Sequence, residues 1–257
     1  MKNVVIYSLL CIFLSAFSCI SKVSAEEKST ALHFDLGENS GWVPYRTGQD
    51  GSQSGILSEL TLLIEQHTTI EFQTVNWPMK RAEQALKKGI IDFDFVCTAW
   101  FDSGNYGEKF VISDPILEVE EYVVTLKGNE HLFPTLDKIH NKRIGTIAGY
   151  FYFDDQKFTR VNFRDEESLM QALKYKRVDA VILEHETAKH WAKIHDVDIK
   201  FAAEHTIGKL LIRLNKTKKS MLPAINLALK KIKNSGQLQT ILEKYGVEPE
   251  KVECLLL

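Results

Sequence analysis

Gln84-Ala-Leu-Lys-Lys-Gly-Ile-Ile-Asp92-Phe-Asp-Phe-Val96 is matched in outline by Gln171-Ala-Leu-Lys-Tyr-Lys-Arg-Val-Asp179-Ala-Val-Ile-Leu183, 87 residues further along. Each stretch reads as the end of an amphipathic helix, a tight turn, an aspartate and a buried strand. Two such units in one chain predict two α/β lobes built to one plan, with a cleft between them.

The flanking sequence extends each unit. Ala31–Asp35 alternates as a strand, and a polar loop containing Trp42, Pro44 and Tyr45 follows. Ile56, Leu57, Leu60, Leu63 and Ile64 recur at helical spacing, Thr69–Val75 is rich in β-branched and aromatic residues, and Pro78 suits a helix's first turn. Phe93–Thr98 closes this strand–helix–strand–helix–strand order, which predicts a mostly parallel sheet covered by helices. Beyond an extended segment from Glu118 to Leu126, the second unit contains strands at Lys142–Ile147, Val161–Phe163, Val178–Leu183 and Ile199–Ala203. Its helices are Glu166–Tyr175 and Glu186–Ile194, and Gly208–Leu214 reads as a separate return strand. Two helices, about Ser220–Lys233 and Gln237–Tyr245, end the pattern. The two extended crossings bracket the second unit and make the first discontinuous: 26–120 with 215–257, around 121–214. The expected class is therefore α/β, with two mixed sheets flanked by helices and joined by a two-strand hinge.

Of the 257 residues, 44% are hydrophobic and 26% charged, ordinary values for a globular chain. The formal charge is −2, and the first 25 residues carry two lysines and no acid, leaving the remainder near −4. That balance argues against nucleic acid as a partner. Lys2, the apolar run Val4–Phe17 and the small residues Val23-Ser24-Ala25 read as a cleavable secretory signal over residues 1–25. Lipid attachment at Cys19 is disfavoured by the Ala16-Phe17-Ser18 approach. Export permits a Cys97–Cys254 disulfide, but the favoured reading is a buried Cys97 and a loose Cys254.

Several motifs together resemble the periplasmic solute-binding proteins of family 3, the amino-acid-binding, two-lobed type II group. They are Trp42-Val-Pro44-Tyr45, Gly55-Ile-Leu-Ser-Glu-Leu60, Leu86-Lys-Lys-Gly89-Ile-Ile-Asp92, Val111-Ile-Ser113-Asp114-Pro115-Ile116, Arg143-Ile-Gly-Thr-Ile-Ala-Gly149 and Arg177-Val-Asp179-Ala. The resemblance implies a ligand held between the lobes, its carboxylate on a lobe-one arginine and its ammonium on a lobe-two acid. The acid's place, five residues after Asp179, is filled by Glu184. The arginine's place is not filled: Thr98-Ala-Trp100-Phe-Asp-Ser-Gly-Asn-Tyr-Gly107 has no basic residue before Lys109. Arg81, beside Trp77 at a helix start, is the candidate replacement, although it reads equally well as a solvated arginine or half of a salt bridge. Trp42 falls where the family stacks a ring on the ligand, and Thr98 and Trp100 lie in its ligand-lining loop. Tyr150 and Phe151 stand where the family has small hydroxyl residues at a helix N-terminus, and Met79 matches a second aromatic position. Each aromatic also reads as ordinary packing. Asp92 and Asp179 read as structural, starting strands and accepting turn amides.

His185, His190 and His195 step about 140° round a helix at each interval, so one helix cannot turn them onto one ion. No metal site or cofactor is expected. The leading expectation is a monomeric periplasmic protein that closes on a small polar solute for an ABC importer or a sensor. The alternatives are a binding-fold protein acting through protein contacts, and an enzyme resembling cyclohexadienyl dehydratase with Glu184 as general acid.

Overall fold

A computed structural model describes residues 30–35, 41–46, 54–75, 77, 79–101 and 104–248. The leader, Cys19, Pro78 and Cys254 lie outside the described residues. In chain order the elements are β1 (Thr30–Asp35), α1 (Ile56–His67), β2 (Ile70–Val75), α2 (Met79–Lys87), β3 (Phe93–Cys97), β4 (Phe110–Ile112) and β5 (Leu117–Leu126). They continue as β6 (Arg143–Ile147), β7 (Thr159–Phe163), α3 (Glu166–Lys174), β8 (Val181–Glu184), α4 (His185–His195), β9 (Ile199–Asn215), α5 (Leu222–Asn234) and α6 (Gln237–Lys244).

The strands form one mixed path, β2-β1-β3-β9-β5-β8-β6-β7, with β4 also on β9. This differs from the expectation of two sheets. Ile199–Ala203 and Gly208–Leu214 are one 17-residue strand, β9, which pairs with β3 at one end and along β5 for most of its length. The polar stretch between them resembles a break in sequence, yet His205 and Thr206 are buried and bonded to Asp154 and Glu121. Gly208 keeps the strand continuous, because a Cβ there would lie 2.6 Å from Cys97 Sγ and 2.8 Å from the Ala99 amide nitrogen.

Each end of the sheet has its own core. At the β2-β1-β3 end, Leu32 and Phe34 of β1 face Leu60 and Ile64 of α1, with Phe34 stacked on Phe93 at 4.8 Å. α5 and α6 close that core with Ile225, Leu229 and Leu242. At the β8-β6-β7 end two clusters cover the two faces of the sheet. One packs Leu169 and Leu173 of α3 against Val181 and Trp191; the other gathers Phe133, Ile144, Tyr152 and Ile182. Cys97 is a buried free thiol, its pKa pushed up to about 12 by burial. Among the described residues, no helix is long and apolar enough to cross a membrane.

Candidate functional site

The loop Gly41–Arg46 leaves lobe one and lies against lobe two. Its position is set from behind by α1, whose first amides, Ile56 and Leu57, donate to the carbonyls of Pro44 and Tyr45 at 3.0 and 2.9 Å. Trp42 and Tyr45 stack at 4.8 Å within the lobe-one core, while Val43 inserts into the lobe-two cluster. Three hydrogen bonds complete the junction. Tyr45 Oη donates to Glu184 Oε1 at 3.0 Å, the Gly41 amide to Glu166 Oε2 at 2.8 Å, and Trp191 Nε1 to the Gly41 carbonyl at 2.6 Å. Gly41 is required by this close approach, since a Cβ would meet Glu166 Oε2 at 2.9 Å.

Behind the loop lies a narrow space, partly open to solvent. Trp42, Trp100, Tyr150 and Phe151 form its aromatic walls, and Asp35, Arg46, Glu83 and Asp94 supply charge above an apolar floor. A smaller, tighter space shares Trp42, Trp100 and Tyr150 and adds Glu121, Glu166, Glu184 and Thr187. Of the residues expected from sequence, the structure therefore brings Trp42, Trp100, Tyr150, Phe151 and Glu184 together. Tyr150 is aimed by Arg160, which donates to the Tyr150 carbonyl at 3.1 Å and the Ile147 carbonyl at 2.7 Å, and its hydroxyl reaches Glu166 at 2.6 Å. Phe151 meets Phe101 of lobe one at 5.3 Å. Glu184 ends β8 and caps α4, accepting from the Thr187 amide at 2.8 Å.

The other three stand outside these two spaces. Arg81 is exposed on α2, because the face of that helix turned to the core carries Ala82, Ala85 and Leu86. Trp77 packs on the lobe-one core and its amide donates to Asp35 Oδ1 at 3.2 Å. Thr98 is drawn to the hinge, where its hydroxyl accepts from the Lys209 amide at 2.9 Å.

Sequence reading missed several charged groups. Arg46 directly follows the Trp42–Tyr45 motif, and this adjacency was the available clue. Arg213 of β9 grips Asp94 at 3.0 and 2.6 Å and Glu83 at 3.0 Å. Burial pushes Asp94 upward despite this arginine. Glu166 is also raised by burial, against the opposing hydrogen bonds of Tyr150 and the backbone amides. His205 Nε2 lies 3.0 Å from Asp154 and Nδ1 3.6 Å from Glu121. Burial opposes its charge, but those acids outweigh burial and raise the imidazole to about 9. Six acids line the two spaces beside one basic residue, Arg46, a lining suited to a ligand with a positively charged group. The histidines of α4 turn elsewhere: His185 pairs with Glu186 and His195 with Glu167.

The model of the bacterial extracellular solute-binding proteins, family 3, matches residues 35–248. The chain belongs to that family. A probable histidine-binding protein of Campylobacter jejuni is 23% identical over 231 residues, covering 88% of this chain and 89% of that protein. A putative sensor protein of Shewanella frigidimarina is 28% identical over 169 residues, covering 63% of this chain but 26% of its own length. The structure of an ancestral arginine-binding protein bound to arginine superposes with a TM-score of 0.70 at 22% identity, covering 84% of this chain and 98% of that one. That likeness shows the two-lobed fold, and the family's function, solute binding, places the cavities at the interlobe junction in context.

Proposed function

We propose that this family 3 protein closes its lobes on a small amino-acid-like solute bearing a cationic group and presents it to an ABC-type importer. The observation that carries the reading is the junction itself: an aromatic-walled space where lobe one bonds directly to the lobe-two carboxylates Glu166 and Glu184. A solute touching both walls favours the closed arrangement over the open one. Residues 26–120 with 215–257 act as one lobe and 121–214 as the other, rotating about β5 and β9. The protein works as a monomer in the periplasm after loss of residues 1–25, which N-terminal sequencing of the exported protein tests.

The similarity to a sensor protein supports a second partner, a membrane sensor reading the closed form. Uptake of labelled solute in a deletion strain separates the two, because only an importer's binding protein alters it. Binding itself is tested by thermal melts with amino acids and amines, L-arginine and L-histidine first. At a hundredfold excess over Kd, a rise of roughly 5–10 °C is expected. A flat melt across the whole panel, with no small molecule retained in native mass spectra, would end the reading.

A further inference from the structure

We propose that Arg46 is the anion anchor of this cleft, so that the solute carries a carboxylate held against the Trp42–Trp100 wall. The proposal rests on the cleft-binding reading above and deepens it. Its basis is a comparison of three arginines. Arg213 places Nε and Nη2 on Asp94 and Glu83. Arg160 is bonded to Asp155, Thr146 and the carbonyls of Ile147 and Tyr150. Arg46 is only 6% exposed, yet among the described residues no hydrogen bond reaches its Nε or Nη1. Asp35 lies 3.9 Å from Nη1, close enough for Coulomb attraction and too far for a hydrogen bond.

A guanidinium carries five N–H donors and cannot shed its charge, so burying it with unmet donors is costly. That arrangement makes sense where the missing acceptor arrives from outside. Arg46 is the one basic residue among those lining the larger space. The loop aims it there: its amide donates to the Trp42 carbonyl at 2.9 Å, and its guanidinium carbon lies 5.7 Å from the Trp42 ring centre. A second buried donor on the same walls, Trp100 Nε1, also has no partner among the described residues. An indole N–H can only donate. Two sets of donors lacking acceptors on one cavity wall specify a ligand acceptor, and a planar carboxylate matches the guanidinium fork. The acids Glu166 and Glu184 on the opposite lobe then receive the cationic end. The vacant arginine position after β3 is thereby served from a different loop.

Calorimetry at fixed ionic strength tests this with matched pairs: L-arginine against agmatine, and L-histidine against histamine, which differ by the carboxylate. The wild-type protein is expected to bind an acid at least about tenfold more tightly than its amine, the range of a charge-assisted hydrogen bond. Arg46→Gln should shrink that preference to about threefold or less, and Arg46→Lys, which keeps charge but loses the fork, should also lose most of it. An amine binding as well as its acid overturns the proposal, as does an acid preference that survives either substitution. If Arg46→Gln fails to fold, Arg46→Lys decides alone. If neither acids nor amines bind, the amino-acid reading falls first, and sodium acetate against sodium chloride at equal ionic strength decides Arg46. A melting rise with acetate, lost in the variant, upholds an anion site there; no rise in the wild type overturns it.

Discussion

The two lobes pair their interior-facing acids in different ways. In lobe one, Asp94 and Glu83 are neutralised by Arg213. In lobe two, Asp154 and Glu121 are neutralised by His205. An arginine keeps its charge at any accessible pH, whereas a histidine does not. Lobe two therefore carries a pH dependence from its cation that Arg213 does not give to lobe one. His205 gives the largest expected effect. Its folded-state pKa, about 9, lies above the ordinary 6.5, so its stabilisation is complete below 6.5 and is lost as pH rises through about 9. The full loss is about 3 kcal/mol. Urea midpoints of the wild type and His205→Ala should converge between about pH 6 and pH 10. A gap that stays constant with pH would mean the histidine is neutral and the lobes are alike in this respect.

The two echoed aspartates differ just as sharply. Asp92 is buried, accepts the His33 amide at 2.8 Å and lies 3.5 Å from Lys218. Asp179 is exposed in the turn before β8, which starts at Val181, three residues later than expected. Lys176 explains the shift: its left-handed φ of 56° extends the turn after α3, and Arg177 folds back to donate to the Ala172 carbonyl. Asp92→Ala should therefore cost about 1–2 kcal/mol by leaving the half-buried His33 amide without its acceptor, and Asp179→Ala under about 0.5 kcal/mol. Equal losses in denaturant titrations would restore the symmetry that the sequence suggested.

The residue five places beyond Asp179 matters more than Asp179 does. Glu184 serves as a helix cap and as the acceptor for Tyr45 across the junction. Glu184→Ala should cost about 1–2 kcal/mol. Glu184→Gln keeps one acceptor oxygen for the Thr187 amide and turns an NH2 donor toward the Tyr45 hydroxyl, which can rotate to accept, so it should cost about 1 kcal/mol while weakening a cationic solute about tenfold or more. Calorimetry with L-arginine or L-histidine on Glu184→Gln reads the charge separately from the fold. Undiminished affinity would remove Glu184 from the solute's cationic end.

Periodicity revealed most elements because α1, α3 and the central strands each bury one regular face, as with Ile56, Leu60 and Ile64. It missed β4, whose three residues are too few to show a period, and it split β9 because buried His205 and Thr206 look like loop residues until their partners are known. The aromatic half of the site was legible through the motif around Trp42 and the glycine turn before Tyr150. The charged half was not, since Arg46, Arg213 and Glu166 gain meaning from neighbours distant in sequence. Arg213 and Asp94, for instance, are 119 residues apart.

Arg81 carries the smallest expected effect and the most direct contrast with Arg46. Both are lobe-one arginines beside aromatic motifs, yet Arg81 is exposed and outside the larger space, whereas Arg46 is buried in its wall. A charge at high dielectric contributes little to a contact it does not make, because water screens it. Arg81→Ala should change stability by less than about 0.5 kcal/mol and leave affinity for L-arginine or L-histidine within about twofold at ~0.15 M salt. A residual loss seen only at low salt would mark long-range attraction of the solute's carboxylate. A tenfold loss that persists at high salt would instead place Arg81 in contact with the solute, which requires the start of α2 to move inward as the lobes close.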